Sequence, residues 1–125
     1  MTTTIGTRRL VRVCALADLV PELGTAALVA GRQVAVFLLA DGSVHAVQNL
    51  CPFSGAHVMS RGITGSRGEE PTIASPLYKQ VFSLLTGECL ATMDKEPVVG
   101  EQAGLEVYRV VVDNGDVMVE SKDQE

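Results

Sequence analysis

Residues able to do chemistry gather in two short segments of this chain. The first reads Asn49-Leu50-Cys51-Pro52-Phe53-Ser54-Gly55-Ala56 and continues to Met59-Ser60-Arg61-Gly62. The second reads Ala74-Ser75-Pro76-Leu77-Tyr78-Lys79-Gln80-Val81-Phe82-Ser83, followed by Leu85-Thr86-Gly87. Cys51 offers a thiol, which as thiolate is both a nucleophile and a soft metal ligand. It has no Cys-x-x-Cys partner. The other cysteines, Cys14 and Cys89, lie far away in the chain and read as small buried hydrophobes, so no zinc knuckle or dithiol motif is spelled out. His57 follows beyond Gly55 and reads as a loop histidine, while His45 falls in a strand-like run. Ser75 has neither a Gly-x-Ser-x-Gly turn nor a paired base, so a serine nucleophile has no support. Gly-x-Gly-x-x-Gly and Walker patterns are absent, which removes nucleotide binding.

The elements that must position these segments read as strands. Val is abundant, and short apolar runs are broken by Gly, Asp and Asn at turn-like spacing. Leu10–Cys14 reads as a first strand, and residues 15–24 as one helical turn stopped by Pro21 and Gly24. Ala26–Ala30 and Gln33–Leu39 flank a tight turn at Gly31-Arg32. Val34 to Leu39 is apolar throughout, the pattern of a strand buried on both faces. Asp41-Gly42 predicts a hairpin into Val44–Val47 with both central residues at positive φ. From Gln48 to Pro71 periodicity stops, which predicts one long functional loop. Strand-like pieces resume at Thr72–Ala74, Gln80–Ser83 and Glu88–Leu90, with a turn at Thr86-Gly87; Asp94 to Gly104 reads as another loop. Leu105–Val112 and Val117–Glu120 form a last hairpin around Asp113-Asn114-Gly115-Asp116, and the charged end 121–125 reads as frayed. About nine or ten short strands are expected.

Composition sets the outer bounds. With 125 residues there is room for one core, so residues 1–125 are expected to form a single domain with its core at about 8–120. Ten basic against fifteen acidic residues give a net charge of −5, which argues against nucleic-acid and anionic-membrane partners. Three scattered cysteines suit a reducing, cytoplasmic setting. Arg8-Arg9 precedes apolar residues, but Arg12 and Asp18 interrupt the stretch, so no export signal is expected. No run approaches the ~18 apolar residues of a membrane span.

Together the two segments resemble the Rieske domain, whose loops read Cys-x-His and Cys-x-x-His and hold a [2Fe–2S] cluster. The resemblance runs from about Leu10 to Glu120 and includes the Phe-x-x-x-Thr-Gly turn at Phe82–Gly87 and a closing hairpin. It implies an all-β fold of stacked antiparallel sheets or a small barrel, with two long loops at one tip. At the ligand positions the match fails: Cys51 stands at the first cysteine, Phe53 at the first histidine, Ser75 at the second cysteine and Tyr78 at the second histidine. One ligand of four remains, so no cluster is expected in this chain. A domain with these losses, with Cys51-Pro52, Ser75-Pro76-Leu77, Gln80-Val81-Phe82 and Thr86-Gly87-Glu88-Cys89, resembles the small subunit of the cytoplasmic NAD(P)H-dependent assimilatory nitrite reductase.

That resemblance implies a large catalytic subunit as partner, carrying FAD, sirohaem and an iron–sulfur cluster and reducing nitrite to ammonium with electrons from NAD(P)H. This chain would be non-catalytic and serve assembly or stability. Its two loops would offer a docking surface of Phe53, Pro76, Leu77 and Tyr78, with Lys79 and Arg61 as basic neighbours. Two alternatives stand beside this: a Rieske-type [2Fe–2S] ferredoxin-like electron carrier, and a stand-alone all-β protein-binding module.

Overall fold

The computed structural model describes residues 10–77, 79–93 and 104–121. Eleven strands form three antiparallel sheets there, and no α-helix occurs among these residues. The first sheet orders β1 (Leu10–Ala15), β11 (Asp116–Glu120) and β10 (Val110–Asp113). The second orders β2 (Gly24–Val29), β3 (Arg32–Leu38), β4 (Val44–Gln48) and β9 (Val107–Tyr108). The third orders β5 (Ile63–Arg67), β6 (Glu70–Ala74), β7 (Val81–Ser83) and β8 (Cys89–Ala91).

The second sheet is the middle layer, which explains its unbroken apolar strand. Side chains alternate across a strand, and those of β3 divide between two cores. Val34 and Val36 pack with Val29, Ala46, Tyr108, Val117 and Val119 toward the first sheet. Ala35 and Phe37 pack with Val47, Phe53, Met59, Ile73, Phe82 and Leu84 toward the third. Water reaches neither face, so no polar residue interrupts the run.

Several local expectations shift. The β2–β3 turn is Ala30-Gly31 rather than Gly31-Arg32, with φ of 50° and 84°, the two positive values a two-residue hairpin turn needs. At Asp41-Gly42 only Gly42 is positive, at 90°. The loop is a three-residue one: Gly42 N–H donates to Leu39 O at 2.9 Å, and the Asp41 carboxylate accepts from the Ser43 N–H, also at 2.9 Å. The long loop expected over 48–71 contains a 3-10 turn at Met59–Arg61 and all of β5. Periodicity hid β5 because Ile63, Gly65, Ser66 and Arg67 are all exposed, leaving no buried face to mark. The single strand expected over Leu105–Val112 breaks at Arg109, and its halves join different sheets. Residues 94–103, most of the second expected loop, lie outside the described residues, as does the end 122–125.

Candidate functional site

Two loops leave the cores near one another. Loop 1, residues 49–58, follows β4 and turns tightly: Cys51 N–H donates to Ala56 O and Gly55 N–H to Cys51 O, both at 2.8 Å. Gly55 has φ 76°, the left-handed conformation that a residue without Cβ takes at no cost. Leu50 and His57 pair across the base. Asn49, buried beneath, holds both ends. Its Oδ1 accepts the Ser60 N–H at 2.7 Å, and its Nδ2 donates to His57 O at 3.3 Å and Gln33 Oε1 at 3.1 Å. Loop 2 follows β6 and closes on itself, Ser75 N–H donating to Gln80 O at 2.9 Å and Lys79 N–H to Ser75 O at 3.1 Å.

At the meeting point Cys51 Sγ and Ser75 Oγ share a hydrogen bond at 3.5 Å, and both residues are buried. Burial pushes the Cys51 thiol up. Hydrogen bonds from the Ser75 and Ser54 hydroxyls and the Phe53 and Ser54 backbone outweigh it, so the thiol titrates below its ordinary range. Phe53 is 3% exposed and leans on Phe82, ring centroids 6.1 Å apart at 55°. Hydrocarbon therefore fills the space inside loop 1.

This donor set does not fit a [2Fe–2S] cluster of the kind the resemblance implies. Such a centre takes two thiolates on one iron and two imidazoles on the other. Cys51 and Ser75 stand side by side, as two ligands of one iron would, but the second is an alcohol. Phe53 has no lone pair and is committed to the core, and Tyr78 lies outside the described residues. Among the described residues no group of three His, Cys, Asp or Glu side chains is placed to hold a metal ion.

Of the surface expected at the tip, Pro76, Lys79 and Arg61 are exposed and Leu77 is 51% exposed. Phe53 does not join them. Its ring points inward, because the loop must bury something where a cluster would otherwise sit. Cys14 and Cys89, expected buried, are only half-buried, and burial raises both thiols. His45 lies on β4 against the Ser43 hydroxyl at 3.0 Å, and burial holds its pKa below the usual histidine value. Sequence reasoning gave no role to Asn49 or Ser54, although both stand in the quoted motif. A polar residue next to a Cys-Pro turn was the available signal. No helix among the described residues is long and apolar enough to cross a membrane.

The family model for the Rieske-like [2Fe-2S] domain matches residues 9–120. The nitrite reductase (NADH) small subunit of Salmonella typhimurium is 40% identical over 79 residues, 62% of this chain and 73% of that protein. The nitrite reductase [NAD(P)H] large subunit of Klebsiella oxytoca is 39% identical over 107 residues, 86% of this chain. The match covers 10% of that protein, so this chain spans about a tenth of that relative's length. A solved structure assigned as a NADH-dependent nitrite reductase small subunit from Mycobacterium tuberculosis superposes with a TM-score of 0.77 at 43% identity, covering 94% of this chain and 97% of that one.

Proposed function

The chain belongs to the Rieske-like [2Fe–2S] domain family, alongside its nitrite reductase small subunits, and from that premise we infer that it is the cluster-less, non-catalytic small subunit of an NAD(P)H nitrite reductase. In this reading residues 1–125 form one domain that assembles with or stabilises a large subunit in the cytoplasm. Nitrite is reduced to ammonium for nitrogen assimilation at that subunit's flavin, sirohaem and iron–sulfur centres. The observation that carries the reading is the content of the ligand positions: one thiol, one buried benzene ring and one alcohol in loops that keep the frame of a metal site. A chain of this family without those donors has no electron to relay, which leaves it a binding role. The choice of partner is supported by the Klebsiella large subunit, in which a tenth of the polypeptide resembles this chain. A domain found inside one chain and separate in another keeps its place most simply by contact.

Docking falls to Pro76, Leu77, Tyr78, Lys79 and Arg61, with Phe53 supporting loop 1 from within. Co-expression with the cognate large subunit should give a complex that survives size exclusion and carries sirohaem absorbance. The isolated chain, purified anaerobically, should hold far less than one iron per molecule. Leu77→Asp should weaken the complex at least about tenfold by placing a charge in an apolar contact, with the urea midpoint of the isolated chain unchanged. Stoichiometric iron and sulfide in the isolated chain would favour an electron carrier instead. Absence of any complex would favour a stand-alone binding module.

A further inference from the structure

A second feature lies at the foot of loop 1, on the side of the middle sheet. Gly31, Arg32 and Gln33 of the β2–β3 hairpin, Gln48 at the end of β4, Leu50 after it, His57, Glu106 and Tyr108 enclose a recess of about 340 Å³. Its framework is fixed by the backbone: Gln48 N–H donates to Glu106 O at 2.9 Å, and Glu106 N–H donates to Gln48 Oε1 at 2.8 Å. Only the Glu106 carboxylate is held loosely. Arg32 Nη1 reaches its Oε1 at 3.3 Å and the Tyr108 hydroxyl donates to the same oxygen at 3.4 Å, both long for charge-assisted bonds.

The recess is rich in donors. Of the five guanidinium N–H groups of Arg32, one is committed to Glu106 and one to the Tyr108 hydroxyl, leaving the others for a ligand. Among the described residues the His57 ring makes no hydrogen bond, and Gln33 uses its oxygen toward Asn49 but not its amino group. Among the described residues Glu106 is the single carboxylate in the lining. A ligand that completes such a site brings acceptor oxygens and negative charge. The side chains of Arg32 and Glu106 are 54% and 50% exposed, so the site is shallow. A small molecule needs ~70–90% of its surface buried; a side chain projecting from a protein surface needs only its end group covered. Leu50 and His57, which close loop 1, also line the recess, so it continues from the docking tip.

We propose that this recess receives an Asp or Glu side chain of the large subunit, which takes Arg32 away from Glu106. The proposal rests on the small-subunit reading above. Exposed ion pairs of this kind cost little to open, and a bidentate bond from Arg32 to the incoming carboxylate is the stronger of the two. Glu106 is thus a placeholder that keeps Arg32 aimed while the chain is alone.

The test is affinity for the cognate large subunit, read by fluorescence titration with wild type, Arg32→Gln and Glu106→Gln, each checked for an unchanged urea midpoint. Arg32→Gln should weaken binding about tenfold or more. Glu106→Gln removes the competitor and should tighten it about two- to fivefold. Effects of the same sign in both variants would make the pair a plain structural contact and overturn the proposal, as would no effect in either. If the variants instead change affinity for acetate, followed by shifts of the Gln33 and Gln48 side-chain amide resonances, and leave the large subunit's affinity alone, the ligand is a free carboxylate and the partner is overturned. Failure of wild type to bind the large subunit at all would refute the small-subunit reading itself, with this proposal falling as its consequence.

Discussion

Truncating Phe53 to Ala tests whether hydrocarbon has replaced metal as the tie inside loop 1. The ring is 3% exposed and packs at a tilt against Phe82, centroids 6.1 Å apart, within the larger core. A buried Phe→Ala change costs ~3–5 kcal/mol, because the ring's transfer energy is lost and the cavity collapses only in part. The tilted Phe82 contact adds ~0.5–1.5 kcal/mol that a softer loop would not. Collapse is limited here, since Cys51, Pro52 and Phe53 are all buried and the loop is clamped by two 2.8 Å backbone bonds. A loss of about 4 kcal/mol is therefore expected. It is a large part of the ~5–15 kcal/mol by which such a domain is stable. With a urea m-value of ~2 kcal/mol/M the midpoint should fall by about 2 M. Phe53→Leu, which keeps most of the apolar volume, should lose less than half as much. A cost below about 1 kcal/mol for Phe53→Ala, by urea unfolding with two probes, would show that the ring is not a core member and would refute the account of loop 1.

Gly87 has φ 81°, and a Cβ there would lie 1.9 Å from Leu105 O, so Gly87→Ala should cost more than about 3 kcal/mol, seen as a sharp drop in Tm. Ser75→Ala removes one of the hydrogen bonds that hold the Cys51 thiol below its ordinary range, so that pKa should rise, followed by thiolate absorbance in a Cys14→Ser, Cys89→Ser background. In that background the folded chain releases the Cys51 proton before the unfolded chain does. Stability should therefore climb as pH rises from the lowered folded value toward the unfolded ~8.5, and that gain should vanish as pH falls back through the folded value; a flat or falling profile would contradict it.

Much of this was legible in the chain because burial leaves a mark. The two-faced run Val34–Leu39 gave away a middle layer, and Asn114-Gly115, at φ 55° and 82°, formed the turn its residues demand. What stayed hidden was what burial does not mark. Strand β5 has an exposed Ile63 and two glycines near it, and only Thr64 is half-buried, so nothing alternates. The break at Arg109 is set by a change of sheet, which local pattern does not carry. At the site, residue identities at Cys51, Phe53 and Ser75 were readable against the Rieske pattern. Whether Phe53 fills the space of a cluster or faces a partner stayed open in the sequence, because an aromatic on a loop serves core and surface alike; the structure turns it inward. The recess joins Arg32 to Glu106, 74 residues away in sequence, and no spacing rule connects those two.

Replacing a metal tie by packing has an unequal effect on the two loops. A structural metal site can contribute on the order of 10 kcal/mol to folding, whereas burying one phenyl ring contributes ~1.5–3 kcal/mol. Loop 1 receives that ring and the Asn49 clamp. The described residues of loop 2 receive neither: Pro76, Leu77 and Lys79 are exposed, and this part of the loop is held by two backbone bonds and the Ser75 hydroxyl, which accepts the Leu77 N–H at 3.4 Å. Loop 2 should accordingly open at lower free energy than loop 1, and its amides should exchange first. That inequality suits the proposed docking surface, since a loop ordered by its partner can adapt before it is fixed. Hydrogen exchange measures both sides of this. In the isolated chain the Leu77 and Lys79 amides should exchange at least about a hundredfold faster than those of Cys51 and Gly55, a gap of ~2.7 kcal/mol in opening free energy. In complex with the large subunit that gap should close. Equal protection in the isolated chain would mean loop 2 is braced by contacts of its own, and an unchanged gap on binding would mean the partner sits elsewhere.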